Sequence, residues 1–256
     1  MNSEPAPTES TPAVEPALRL VFERGVSPSK WANRWAEQHP GLPLAIEVQM
    51  ARRGDPLAAG NCDVLLARVD PNGNPAEHSA EPLHTLRLYE EAVSVMLPEE
   101  HDLAERESID ATELADLMLL PHPEHADAWP APTPWADQAT APTSLAGTLE
   151  VVLAGVGAAL VSDPLARHLG KKGLRRVPVT GLPGTWIWAC WLVEADGPII
   201  QDFVGVLRGR TRSSSRHASE PTPEAKPAKK PKPKPQPKAT KKHPPRGKRV
   251  RRPRRS

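Results

Sequence analysis

The chain has 256 residues, with 33 Lys+Arg against 31 Asp+Glu, and this near-neutral sum hides a split. Residues 210–256 carry 18 Lys/Arg and two Glu, a net of +16, while the preceding residues carry 15 Lys/Arg and 29 Asp/Glu, a net of −14. Length and composition leave room for one α/β body with a real core. They exclude a disulfide framework, because there are only two cysteines, Cys62 and Cys190, and a membrane-spanning helix, because no apolar run approaches ~18–20 residues.

In chain order, residues 1–16 are acidic and Pro-rich without an apolar core, so they read as a disordered leader and not a secretory signal. LRLVF from Leu18 has the pattern of a buried strand. Ser27 as N-cap with Pro28 at the first helical position opens a helix that carries Trp31 and Trp35 on one face and stops at His39-Pro40-Gly41. LAIEVQ, alternating at Leu44, Ile46 and Val48, predicts a half-buried strand, and a short helix near 56–59 leads to the strand CDVLLARV. After a turn-rich loop, LHTLRLYEEAVSVMLP gives two strand segments broken near Glu90-Glu91. Asp110 and Glu113 have the spacing of a capping box before a helix with Leu114 and Leu117 inward. Residues 121–143, with six prolines, read as loop. LAGTLEVVLAG is then a helix, GAALV a strand, Asp163-Pro164 the start of a short helix and TWIWACWLV the most apolar strand. Pro198 opens a last helix with Ile199, Ile200, Phe203, Val204 and Leu207 on one face. Alternating strands and helices predict an α/β fold with largely parallel sheets.

Three stretches of the body resemble a known family. LRLVF with SPSKWANRWAEQHPGLPLAIEV, CDVLLARV with LYEEAVSVMLPEEHDLAERESIDATELADLMLL, and AGVGAALVSDPLARHL with TWIWACWLV and FVGVLR are similar to the effector-binding (substrate-binding) domain of LysR-type transcriptional regulators. The resemblance covers roughly residues 18–209 and implies a type 2 periplasmic-binding-protein-like fold. That is α/β, with two Rossmann-like lobes joined by two crossover strands and flanked by disordered termini. The implied boundaries are a leader over 1–16, a domain over 17–209 (lobe I about 17–90 and 187–209, lobe II about 91–186) and a basic tail over 210–256. The family's N-terminal helix-turn-helix is expected to be absent, with the tail in its place. A homodimer is implied, with Trp31 and Trp35 at or near its seam.

The resemblance also places a small, anionic effector between the lobes. Helix N-termini present unpaired N–H groups and partial positive charge, which singles out Ser27 and Ser29 on the first helix and Thr143 and Ser144 on a helix of the second lobe. Arg68, at a strand end, adds a charge-assisted contact. Helix capping alone accounts for the serines equally well. Gly155-Val156-Gly157 is not a dinucleotide fingerprint, because the helix precedes the strand. His122 and His125, beside Asp127, read as a solvated loop, and Lys171, Lys172, Arg175 and Arg176 as a solvated turn or a docking point. No metal, no cofactor and no catalytic constellation is expected.

The tail's only apolar side chains are four alanines and Val250, too few to offset the ordering entropy of a fold. Its cations, Lys229, Lys230, Lys232, Lys234, Lys241, Lys242, Arg246, Lys248, Arg249, Arg251, Arg252, Arg254 and Arg255, suit the phosphates of DNA or RNA without sequence preference. No aromatic accompanies them, which argues against base stacking. Together these readings predict a cytoplasmic, non-enzymatic regulator, nucleoid-associated through its tail, with no membrane partner. The alternative is an architectural scaffold whose effector fold is a vestigial interaction module.

Overall fold

The computed structural model describes residues 17–49 and 56–209, all within the first of the chain's two units, Met1–Arg216. The second unit, His217–Ser256, lies outside the described residues, as do the leader and every tail cation named above.

The body is mixed α/β with two sheets. The first contains β1 (Leu18–Glu23), β2 (Leu44–Gln49), β3 (Val64–Val69), β4 (Leu83–Glu91) and β9 (Thr185–Leu192), in the order β2-β1-β3-β9-β4. The second contains β5 (Val93–Pro98), β6 (Ile109–Asp110), β7 (Ala159–Ser162) and β8 (Leu174–Thr180), in the order β6-β8-β5-β7. The chain passes between sheets twice, through Ala92 and through residues 181–184. The sheets are not largely parallel. β1 runs parallel to β2 and β3, and β6 to β8, but β9 is antiparallel to both β3 and β4, and β5 to both β7 and β8. Period-2 patterning marks a strand without its direction, and the strands that cross between sheets return against the parallel set.

The first sheet packs its core against α1 (Ser29–Gln38) and α4 (Pro198–Leu207), with Leu18, Leu20, Val64, Leu66, Ile187 and Phe203 buried together. Trp35 belongs to this core. It is 1% exposed, donates from Nε1 to Leu42 O at 2.8 Å and meets Phe203 edge-on at 5.5 Å. Its ring is therefore enclosed by its own chain, whereas half-buried Trp31 lies near the Tyr89 ring. The second sheet carries α2 (Leu145–Leu153) and α3 (Asp163–Leu169), which bury Leu145, Leu149, Val152 and Leu165 against Met96, Ala159 and Val161.

Several local expectations shift. Pro28, not Ser27, is the N-cap residue of α1. Its carbonyl accepts from Trp31 N and Ala32 N, and no side chain caps the helix. Residues 56–60 form a turn. The Asp110–Glu113 capping box is present, but it opens a 3-10 helix, Ala111–Asp116, with Leu114 buried and Leu117 half-buried. Ile199 is 37% exposed while Ile200 and Val206 are buried. Ile46 and Val48 are exposed at 40% and 42%, since β2 is an edge strand. β6 and β8 have no counterpart in the sequence reading. Gly155 closes α2 in a Schellman turn, with Gly155 N donating to Val152 O and Val156 N to Val151 O, a cap and not a phosphate loop.

Candidate ligand site

β1, β2 and β3 are parallel, so their carboxyl ends, Glu23, Gln49 and Val69, lie along one edge. The chain leaves β1 for β2 on one side and returns past it to β3 on the other, which makes this edge a topological switch point, where open α/β sheets bind ligands. A cavity of about 450 Å³ opens there, lined by Glu23, Gln49, Arg68, Asp70, His78 and Ser79 over a floor that includes Leu65, Ala67 and Cys190.

Arg68 and Glu91 are the deepest charges in this region. The Arg68 side chain is 4% exposed and that of Glu91 1%. Arg68 Nε donates to Glu91 Oε2 at 2.6 Å and Nη2 to Oε1 at 3.4 Å. Nη1 donates to Arg24 O at 3.2 Å and lies 3.7 Å from Glu23 Oε2. A buried guanidinium needs such a counter-charge, because desolvation otherwise outweighs every contact it makes. Arg68 was singled out as a ligand contact, but the structure gives its guanidinium to two carboxylates of its own chain. Nearby Tyr89 is pushed up to about 12, first by burial, then by the Glu91 carboxylate, with Arg68 opposing.

The crossings lie beside this pair. Gly184 N donates to Glu90 Oε1 at 3.0 Å, and a side chain at Gly184 would sit 2.3 Å from Glu91 O, so the two crossing segments approach as closely as backbone allows. Asp163 anchors the second sheet's side. Its N–H donates to Ala92 O at 2.7 Å, and its carboxylate takes Ser94 Oγ at 2.7 Å, Arg167 at 3.2 Å and Arg176. Gly25, at φ +88°, brings the loop before α1 against the Leu165 backbone of α3, where an added Cβ would be at 3.0 Å.

Ser27 and Ser29 flank the start of α1 and are both exposed. Ser144 caps α2, accepting from Gly147 N at 3.2 Å, with exposed Thr143 before it. No hydrogen bond among the described residues joins the first pair to the second, so the structure places these residues at two helix starts without bringing them into contact. Glu91, Glu23 and Asp163 escaped the sequence reading. The available signal was Glu90-Glu91 interrupting an apolar strand, since a charge there requires a partner.

The His122–His125 loop is only partly solvated, with Pro123 exposed and His125 half-buried. The His122 side chain has no exposure, and Trp129 and Ala126 are buried with it in the second sheet's core. Among the described residues no group of three or more His, Cys, Asp or Glu side chains is placed to hold a metal ion. The basic cluster is largely neutralised: Lys171 meets Glu150, Arg175 lies 3.9 Å from Glu99, and Arg176 meets Asp163. Cys62 and Cys190 are buried and form no disulfide. No helix among the described residues is long and apolar enough to cross a membrane.

Residues 19–212 match the family model for the LysR substrate binding domain. The chain belongs to the LysR substrate-binding-domain family. Solved structures carry the same fold. An OxyR regulatory domain variant from Pseudomonas aeruginosa is 21% identical with a TM-score of 0.52, over 77% of this chain and 96% of that one. The BenM effector binding domain, solved with its effector benzoate, is 18% identical with a TM-score of 0.52, over 82% and 97%. An OxyR variant from Corynebacterium glutamicum is 18% identical with a TM-score of 0.53, over 75% of this chain and 63% of that one. No match was found among curated proteins.

Proposed function

We propose that the LysR-type domain of this chain is a ligand sensor of a regulator, taking a small organic anion at the switch-point edge of the first sheet, and that its basic tail holds it on nucleic acid. The observation that carries the sensor reading is the cavity of about 450 Å³ at the carboxyl ends of β1, β2 and β3, a size suited to a small molecule. Arg68 lines that cavity but is already committed to Glu91 and Glu23; Ser27 and Ser29 do not line it, and the start of α1 beside them is the added anchor for the anion's charge. There no side chain caps the helix and no acidic residue occupies the first turn. Thr143 and Ser144 at the start of α2, which do not line the cavity, are the second pair of candidate contacts. The likeness to the benzoate-bound BenM domain supports an aromatic or aliphatic carboxylate as the class. No step of this function is catalytic. The regulator is a homodimer, and exposed Ile46 and Val48 on edge strand β2, beside α1, suit a surface that a second copy covers.

A thermal-shift screen of organic acids on the full chain tests the sensor. A true effector at 100 times its Kd stabilises by about 2.7 kcal/mol. Ser27→Ala and Ser29→Ala should abolish that shift while leaving the ligand-free Tm unchanged, because neither serine caps α1. Ser144→Ala should also lower the ligand-free stability by about 1 kcal/mol through the lost cap. A screen in which no carboxylate shifts the Tm overturns the reading.

A further inference from the structure

Residues 121–130 form no helix or strand, yet three of them enter the core, with Ala126 and Trp129 buried and the His122 side chain wholly enclosed. Two backbone carbonyls orient the imidazoles. His122 Nε2 is 2.8 Å from Leu160 O, and His125 Nε2 is 3.0 Å from Pro130 O. A carbonyl only accepts, so each ring carries its hydrogen on Nε2 and keeps a bare lone pair on Nδ1. Both Nδ1 atoms are buried without a hydrogen-bond partner. The rings lie 5.6 Å apart, edge to face, and His125 in turn meets Trp129 edge-on at 5.5 Å.

The charged groups around the pair are few. Glu124 Oε2 is 3.8 Å from His122 Nδ1, and Asp127 and Asp70 act on His125 from its own segment and from the end of β3. His125 is held below the usual imidazole range, first by burial and then by the neighbouring His122, while Pro130 O, Asp127 and Asp70 pull the other way.

The same segment touches both halves of the body. Trp129 Nε1 donates to Pro183 O at 2.9 Å, within the 181–184 crossing, and Asp127 N donates to Asp70 Oδ2 at 3.4 Å, on the wall of the cavity. A change at His125 is thus one ring contact from a crossing and two residues from the ligand edge.

We propose that His125, seated between the His122 and Trp129 rings, is a proton-operated latch that fastens the 121–130 segment to the crossing when neutral and releases it when protonated. The response belongs to His125. A proton reaching His125 Nδ1 creates a buried cation and a new donor, and the neighbouring His122 disfavours it, so the ring turns out to water. That movement abandons Pro130 O and the Trp129 face and frees Trp129 from Pro183. An effect on effector affinity rests on the site proposed above; the latch itself does not.

The test is NMR of the ¹⁵N-labelled full chain, reading the Trp129 indole N–H, assigned by its loss in Trp129→Phe, from about pH 8 to about pH 5. The resonance should leave its hydrogen-bonded position with a midpoint below the ordinary imidazole value of about 6.5. His125→Gln, which keeps a donor for Pro130 O, should hold the resonance at the bonded position throughout. His122→Gln should move the midpoint upward by removing the repelling neighbour. A wild-type signal that does not move over this range, or one that titrates unchanged in His125→Gln, overturns the latch whether or not any effector has been found.

Discussion

Arg68 and Glu91 lie 23 residues apart in sequence and meet almost out of contact with water. Breaking a buried pair from one side is more costly than replacing both members, because the remaining charge stays desolvated. Glu91→Gln should therefore lower unfolding stability in urea by about 3 kcal/mol, and Arg68→Met with Glu91→Leu should recover part of it, since Glu23, 14% exposed, then loses its Arg68 contact. A double variant no more stable than the single one would mean that the pair does not act as a unit. Tyr89 gives the same region a pH signature. Its hydroxyl is pushed up from 10.0 to about 12 in the fold, so the unfolded chain ionises first. The tyrosine's contribution is complete below pH 10 and drains away as the pH rises toward about 12. Tyr89→Phe should flatten that alkaline loss in denaturation curves and leave the neutral region nearly unchanged.

At the level of strands and helices, the crossings are the tightest part of the body. Gly184→Ala would place a methyl 2.3 Å from Glu91 O. Backbone cannot rotate away as a side-chain tip can, so the substitution should cost about 1–3 kcal/mol by thermal unfolding; a neutral result would mean that the two segments are free to separate. Local sequence carried most of the elements, because β1, β3, β9 and α4 announce themselves through apolar runs and helical spacing. β8 stayed hidden because Arg175-Arg176 breaks its alternation and Pro178 argues against a strand; only Val177 and Val179, both buried, hinted at it. The proline is tolerated because β6 pairs only with Val179 and Thr180, one residue further on. β6, two residues long, has no local signal at all. For the site, Arg68 and the helix starts were legible as residue types. The carboxylates that occupy Arg68 were not, since their proximity depends on strand order and register.

For the molecule as a whole, the opposition of body and tail makes a quantitative claim. If the tail's cations engage phosphates, log K for DNA should fall linearly with log salt by about 0.9 for each phosphate contacted, and truncation after Gly209 should remove both affinity and slope. Unchanged binding by the truncated chain would assign nucleic-acid contact to the body instead. The order β2-β1-β3-β9-β4 also has a consequence for the chain as it leaves the ribosome. The strand that fills the gap between β3 and β4 is synthesised after all of β5 to β8. The first sheet must wait with an open slot between two apolar strands while the second, continuous in sequence, is free to close. A nascent chain that has emerged only as far as Gly184 therefore presents a finished half joined to an unfinished one. Its vacant β3 edge invites pairing with any extended neighbour, so the interval before β9 emerges is when this protein most needs a chaperone.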